Sequence, residues 1–252
     1  MPICFNYLGG LLLSSLLFSS SWAGEVSVAV AANFAAPMQK IATQFEQLSG
    51  HKVLLSIGAT GKFYAQISNA APFDVLLSAD QTTPTQLVHD QAAVASSQFT
   101  YALGRLVLWS ADPTLVDAHG EILKQYGRFM HLAIASPKQA PYGAAAAETL
   151  TALNLMASIT PLLVQGENIA QTYTFIASGN AQLGFIALSQ VWDGTKIKSG
   201  SAWIVPDHLY TALRQDAVLL NHGKDNPAAK ALLAYLSTDA AKKIISSYGY
   251  QF

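Results

Sequence analysis

The sequence contains a single cysteine, Cys4, among its 252 residues. Cys4 lies just before an apolar N-terminal run, and the chain after that run has no thiol. Residues 24–252 can therefore form no disulfide, no cysteine-ligated zinc site and no thiol nucleophile. A chain of this length can do without disulfides if its apolar core is large enough.

Charge of either sign is also scarce. Lys and Arg together number 14, Asp and Glu number 15, and the formal net charge is −1. This balance argues against a nucleic-acid-binding protein, which needs a basic face, and against a polybasic membrane anchor. Hydrophobic residues make up 51% of the chain, which is typical of a packed globular protein and excludes disorder. The length predicts one or two domains.

Local signatures of catalysis and of metal binding are missing as well. Neither G-x-S-x-G nor H-E-x-x-H occurs, and the six histidines are scattered without metal-ligand spacing. The run Gly58–Lys62 resembles the end of a P-loop, but that motif needs Gly at Ser56 and Ser or Thr at Phe63. We interpret Lys62 as a solvated residue of a first helical turn or as a charge behind the ligand. The alternative to a binding protein is an enzyme, a secreted hydrolase whose catalytic residues are dispersed along the chain.

Residues 1–23 belong to a different physical class. Leu8–Phe18 is apolar apart from Gly and Ser, and small residues precede a potential cut after Ala23. This pattern is typical of a cleavable secretory signal peptide, although no Lys or Arg precedes the apolar run. The alternative is an N-terminal membrane anchor, but the run is shorter than the ~20 residues that span a bilayer. We therefore expect a secreted chain.

After Glu25, short apolar strands alternate with amphipathic helices. The clearest helical spacing is that of Phe34, Met38, Ile41, Phe45 and Leu48. The alternation predicts α/β layers with mostly parallel sheets. In open α/β sheets, ligands bind beyond the carboxyl ends of the strands.

Two predicted strands run straight into a small polar residue at which a helix begins. Val26–Val30 leads to Asn33, and Lys52–Ile57 leads to Thr60. Asn and Thr are good N-cap residues, and a helix N-terminus offers unpaired N–H groups and a partial positive charge. Taken singly, each residue is better explained as a plain helix cap. Taken together, they favour a site for a small anion.

Two further loops precede predicted helices. Gln139–Gly143 is a predicted loop before a helix from Ala144, and Tyr142 within it can offer a phenolic O–H. Asn168 is predicted to cap a helix that extends to Ala177, where the backbone N–H of Ile169 is the usable donor. These two loops are candidates for the same anion site.

The chain resembles the molybdate-binding proteins of bacterial ABC transporters, a family of periplasmic solute-binding proteins. The resemblance runs from about Val26 to the C-terminus. It is carried by Val30–Phe34 (VAANF), Ser56–Phe63 (SIGATGKF), residues 72–80 (PFDVLLSAD) and Ser247–Gly249 (SYG). The third run is the most specific to the family, and the resemblance implies a structural role for it rather than a ligand contact.

The resemblance implies an α/β, two-lobed periplasmic-binding-protein-like fold of type II, with two crossing strands as the hinge and the ligand in the interdomain cleft. Residues 24–103 and 208–252 would form one lobe and residues 104–207 the other. The crossings would lie near Phe99–Gly104 and His208–Ala212. It further implies a monomeric periplasmic protein that has no cofactor, is not an enzyme and serves an ABC membrane permease.

By position, the family's ligand contacts fall on five residues. The resemblance implies that Asn33 and Thr60 bind the oxyanion through side chain and N–H, Tyr142 through its phenol and Ile169 through its N–H. Ala32 stands where some members have a hydroxyl, so its contact would come from the backbone. Other members place the tyrosine at the position of Ala187, and this exchange leaves the preference between molybdate and tungstate open.

A pocket of neutral donors would also discriminate between anions. Hydrogen phosphate carries a proton that needs an acceptor, and a donor-lined pocket leaves that proton unpaired. Sulfate is smaller than molybdate, so a rigid cavity would hold it with stretched bonds. We therefore expect molybdate or tungstate to bind in preference to both. A receptor for sulfate or phosphate, and a sensor subunit that binds the anion and signals, are the alternatives within binding proteins.

Overall fold

The computed structural model describes residues 23–252. The predicted signal peptide, apart from its last residue, lies outside the described residues. The described chain forms two mixed sheets of five strands each, with helices packed on both. None of the described helices is long and apolar enough to cross a membrane.

The first sheet has the strand order β2-β1-β3-β10-β4. Its strands are β1 (Glu25–Ala31), β2 (Lys52–Gly58), β3 (Val75–Leu77), β4 (Phe99–Gly104) and β10 (Leu213–Leu219). β1 pairs in parallel with β2 and β3, whereas β10 is antiparallel to β3 and β4. The prediction of mostly parallel sheets is thus confirmed for β1–β3 and wrong for β4 and β10.

The second sheet has the strand order β7-β6-β8-β5-β9. Its strands are β5 (Leu106–Ser110), β6 (Leu132–Ala135), β7 (Leu163–Gly166), β8 (Leu183–Ala187) and β9 (Ser201–Ile204). β6 pairs in parallel with β7 and β8, and β5 is antiparallel to β8 and β9. The chain passes between the sheets at Arg105, between β4 and β5, and again between β9 and β10. The second passage contains a 3-10 turn, Asp207–Leu209, and not the crossing strand expected near His208–Ala212.

Helices cover each sheet. The helices of the first sheet are α1 (Ala35–Ser49), α2 (Thr60–Ser68), α3 (Thr82–His89), α8 (Pro227–Leu236) and α9 (Asp239–Ser247). The helices of the second are α4 (Pro141–Ala152), α5 (Met156–Ile159), α6 (Ile169–Ala177) and α7 (Leu188–Val191). The predicted apolar face of α1 is buried at Met38, Ile41 and Phe45, whereas Leu48, in its last turn, is 74% exposed. Gly50 caps the end of α1, and its φ of 73° suits glycine.

Two helix starts near the cleft differ in how well local sequence predicted them. Asn168 caps α6, because its side chain accepts hydrogen bonds from the N–H groups of Ala170 and Gln171, as predicted. α4 begins at Pro141 rather than at Ala144, so the predicted loop is three residues shorter. Proline is favoured at the first helical position, where its missing N–H has no helical partner. Tyr142 therefore lies on the first turn of α4.

Candidate ligand-binding site

A small cavity lies where loops of the first sheet face the first turns of α4 and α6. The space inside it that is open to the centre of a water-sized sphere is about 10 Å³. All five residues that the sequence predicted for the site line this cavity. The lining consists of Ala31, Ala32, Asn33, Gly58, Ala59, Thr60, Ala79, Ala140, Pro141, Tyr142, Asn168 and Ile169.

Among the described residues that line the cavity, none has a charged side chain. The nearby Lys62 instead forms an ion pair of 2.8 Å with Glu167, which joins the start of α2 to the loop before α6. Both side chains are substantially exposed, at 43% and 62%. Lys62 thus lies on the first turn of α2, partly exposed and outside the residues that line the cavity.

The parallel pairing of β1 with β2 brings Asn33 and Thr60 together. Ala31 and Gly58 are partners in the register of the two strands, so the residues that follow them emerge at the same sheet edge. Both side chains are buried, with 3% and 2% of their surface exposed. The prediction that they share one edge of the sheet is confirmed.

Asn33 is not the N-cap that the sequence suggested. It lies in a 3-10 turn, Ala32–Phe34, and α1 begins after Phe34 without a side-chain cap. Its Nδ2 donates to Gln215 Oε1 at 2.9 Å and to the Tyr250 hydroxyl at 3.0 Å. Its carbonyl accepts from the hydroxyls of Ser189 and Tyr250, both at 2.8 Å. Because both amide hydrogens have partners in the protein, the backbone N–H of Asn33 is the donor that remains for a ligand.

Thr60 is also not an N-cap, because it is the first residue of α2 and follows Ala59. Its Oγ1 accepts a hydrogen bond of 3.1 Å from the N–H of Ala79. The hydroxyl proton is then free for another acceptor. The next N–H, that of Gly61, donates to the carbonyl of Gln139 at 2.8 Å, which ties α2 to the loop before α4.

Tyr142 presents a neutral phenol at the cavity. Its side chain is 2% exposed, and its oxygen accepts a hydrogen bond of 3.1 Å from Gln215 Nε2. Burial raises the pKa of Tyr142 well above its ordinary value, and the nearby Tyr250 adds to this. The phenol therefore keeps its proton throughout the neutral pH range and can act as a donor.

Ile169 offers a backbone N–H for a local reason. It is the first residue of α6, and the N–H groups of the next two residues are taken by Asn168 Oδ1 at 2.9 and 3.0 Å. The N–H of Ile169 is thus the first-turn donor that the cap does not use. The Ile169 side chain packs in the core of the second sheet, which fixes the position of this N–H.

The sequence analysis missed the residues behind the cavity. Gln215 is fully buried and contacts Asn33, Tyr101 and Tyr142. Three polar residues in a row, Arg214, Gln215 and Asp216, interrupt an apolar strand, and this was a signal available in the sequence. Ala79 belongs to the run that was expected to be structural, yet it lines the cavity and donates to Thr60.

The geometry of two α/β halves around a small uncharged cavity is that of a solute-binding protein. Residues 26–251 match the family model described as a bacterial extracellular solute-binding protein, and the chain belongs to that family. The family serves transport, so the chain is not an enzyme and carries a ligand rather than a cofactor.

Two similar proteins of known name are both molybdate-binding proteins. The chain is 55% identical over 237 residues to the molybdate-binding protein ModA of Azotobacter vinelandii, with 94% of each chain covered. It is 50% identical over 228 residues to ModA of Rhodobacter capsulatus, covering 90% of this chain and 88% of that one.

A solved structure shows the same fold. The periplasmic molybdate-binding protein of Azotobacter vinelandii superposes with a TM-score of 0.87 and 38% identity, covering 90% of this chain and 99% of that chain. The resemblance stated from the sequence and the expected periplasmic-binding-protein fold are both confirmed.

Proposed function

We propose that this protein captures molybdate, and also tungstate, in the periplasm and delivers it to the membrane permease of an ABC importer. The observation that carries the proposal is the convergence of Ala32, Asn33, Thr60, Tyr142 and Ile169 on one neutral cavity. The relatives named ModA support the choice of ligand. Export would follow cleavage of the signal peptide over residues 1–23, and the mature chain would act as a monomer.

The proposed ligand contacts come from both sides of the cleft. Residues 24–103 and 208–252 would form one lobe, which supplies Asn33 and Thr60, and residues 104–207 would form the other, which supplies Tyr142 and Ile169. A dianion held by both lobes stabilises the closed form because the open form loses half of the donors. Charge-assisted hydrogen bonds contribute roughly 1.5–3 kcal/mol each. About five of them suffice for micromolar or tighter binding after the entropy of association.

Neutral donors also account for selectivity. Molybdate and tungstate are fully deprotonated dianions, so each of their oxygens can accept a hydrogen bond. Hydrogen phosphate brings a proton for which a donor-lined cavity has no acceptor. Sulfate lacks that proton but is smaller, so size must exclude it. Receptors for sulfate or phosphate are thus the functions against which the proposal is tested.

One calorimetric titration series tests the proposal. The chain from Gly24 onward is titrated with molybdate, tungstate, sulfate and phosphate, and thermal melts are recorded with each anion. We expect tight binding of molybdate and tungstate and much weaker binding of the other two. Molybdate at about 100 times its Kd should stabilise the fold by roughly 2.7 kcal/mol. Equal affinity for sulfate, or no response to molybdate, would refute the proposal.

A further inference from the structure

The hydroxyl groups of Thr60 and Tyr142 at the cavity each accept one hydrogen bond from an N–H group of the protein. Thr60 Oγ1 accepts from the N–H of Ala79, and the Tyr142 oxygen accepts from Gln215 Nε2, each at 3.1 Å. A hydroxyl has one proton, and an oxygen that accepts an N–H directs that proton to a different acceptor. Each hydroxyl is therefore prepared to donate to an anion. For Thr60 the N–H comes from the backbone, but for Tyr142 it depends on one side chain.

The orientation of the Gln215 amide is fixed by its other partners. Its Oε1 accepts from Asn33 Nδ2 at 2.9 Å. The Tyr101 hydroxyl also lies 3.1 Å from this oxygen, but it shares its one proton with the Ser78 carbonyl at 2.9 Å. Because the NH₂ group of Asn33 can only donate, the NH₂ end of Gln215 faces Tyr142. The Tyr250 hydroxyl accepts from Asn33 Nδ2 at 3.0 Å and donates to the Asn33 carbonyl at 2.8 Å, so it has one lone pair left with which to compete for the Tyr142 proton.

The backbone around Gln215 is adapted to this contact. The pairing of β10 with β4 shifts register between Gln215 and Asp216, where β4 carries one extra residue, Tyr101, and such a bulge re-aims side chains next to a site. Gln215 and Asp216 are both buried, at 0% and 1% exposure, on a strand that lies between β3 and β4. On β4, a Cβ added to Gly104 would overlap the Tyr142 hydroxyl and Gln215 Nε2. Glycine at this position leaves the space in which the two groups meet.

We propose that Gln215 is a positioning residue that makes Tyr142 a donor towards the bound anion and thereby excludes oxyanions that carry a proton. This inference rests on the proposed function and deepens it. If the Nε2 hydrogen bond were lost, the Tyr142 hydroxyl could rotate and present its oxygen to the cavity as an acceptor. The proton of hydrogen phosphate would then find a partner, and the exclusion of that anion would weaken.

Sulfate and hydrogen phosphate provide the sharpest readout, because they are dianions of similar size that differ by one proton. Their affinities are measured at about pH 8 by competition against molybdate, for the wild type and for Gln215→Met. We expect Gln215→Met to bind molybdate and sulfate about tenfold more weakly, the loss of about one hydrogen bond. Binding of hydrogen phosphate should not weaken, so the ratio of the affinity for sulfate to the affinity for hydrogen phosphate should fall about tenfold.

The matched control is Gln98→Met. Gln98 donates to Asp216 Oδ2 at 2.8 Å and to Thr85 Oγ1 at 3.0 Å. The same substitution therefore breaks a hydrogen bond to the next residue of β10, and neither Gln98 nor Asp216 lines the cavity. This variant should keep the wild-type ratio. A ratio that falls equally in both variants would overturn the inference, because it would then reflect general loosening of β10.

Gly104→Ala disturbs the same contact without substituting Gln215, and it carries the test if Gln215→Met does not fold. The added methyl group would overlap Gln215 Nε2 and the hydroxyl end of the Tyr142 ring, so these two groups must separate. We expect the sulfate-to-phosphate ratio to fall in this variant too. If the wild type binds molybdate but the ratio is unchanged in the folded variants, this inference is wrong and the proposed function stands. If the wild type does not bind molybdate, the proposed function itself fails.

Discussion

The N–H of Ile169 can be removed with little disturbance to the fold, which makes Ile169→Pro an informative variant. Ile169 is the first residue of α6, a position at which proline is favoured. The preceding Asn168 has φ −145° and ψ 175°, an extended conformation that a following proline requires. The helix and its Asn168 cap should therefore persist, while the donor disappears.

The expected loss follows from one charge-assisted hydrogen bond. Such a bond contributes roughly 1.5–3 kcal/mol, so the Kd for molybdate should rise about 10- to 150-fold. Calorimetry measures the Kd, and circular dichroism with thermal melts verifies that α6 and the fold are retained. The variant also removes a side chain that is 97% buried, since only 3% of Ile169 is exposed, and this second change needs its own control.

Ile169→Ala is that control, because it removes most of the side chain and keeps the N–H. We expect it to lower the melting temperature, since truncation of a buried isoleucine costs about 2–5 kcal/mol. Its affinity for molybdate should stay close to that of the wild type. Equal affinities for Ile169→Pro and Ile169→Ala would show that the N–H does not contact the ligand.

Three further predictions concern the other groups at and behind the site. Thr60→Val should weaken molybdate binding about tenfold or more, and it should cost about 1–3 kcal/mol of stability because it also leaves the N–H of Ala79 without its partner. Thr60→Ser keeps the hydroxyl and should therefore keep both the affinity and the stability of the wild type. Calorimetry measures the affinity and thermal melts measure the stability; a loss of either in Thr60→Ser would contradict this role of the hydroxyl. Lys62→Met should speed dissociation of the anion a few-fold at low salt and leave the dissociation rate unchanged at high salt, since an exposed ion pair contributes up to about 1 kcal/mol and is screened by salt. Stopped-flow measurements test this. The control Lys124→Met breaks an exposed ion pair within a single helical turn and should have no effect on the rate. Burial raises the pKa of Tyr250 to about 12, so the unfolded chain loses this proton at a lower pH than the folded chain does. Stability should therefore fall as the pH rises from about 10 to 12. Tyr250→Phe should flatten that decline in thermal melts recorded across this pH range, and a slope equal to that of the wild type would contradict the assignment.

The parts of the site that depend on local sequence could be predicted. Parallel strands that end together place the residues after them side by side, and this located Asn33 and Thr60. The Asn168 cap involves residues two and three positions away, so its pattern is visible in the sequence. The start of α4 at Pro141 was missed, although the preference of proline for the first helical turn predicts it.

The parts that depend on distant partners could not be predicted. Asn33 was expected to cap a helix because its neighbours fit that pattern. Its amide instead bonds to Gln215 and Tyr250, which are 182 and 217 residues away in the chain. A side chain with a buried tertiary partner gives up a local cap when the tertiary bonds satisfy both of its hydrogens. The antiparallel direction of β10 has the same origin, since it is set by the return of the chain from the second sheet.

The absence of a cation from the cavity has a physical consequence for selectivity. A lysine or arginine would attract every small anion through its charge, with little dependence on the positions of the anion's oxygens. Fixed N–H and O–H donors bind only where an acceptor oxygen lies in line with each of them. In this chain the donors are held by the protein itself, through Ala79 at Thr60, Gln215 at Tyr142 and Asn168 beside Ile169. On the proposed function, the discrimination between oxyanions would therefore reside in these supporting contacts as much as in the residues that face the ligand.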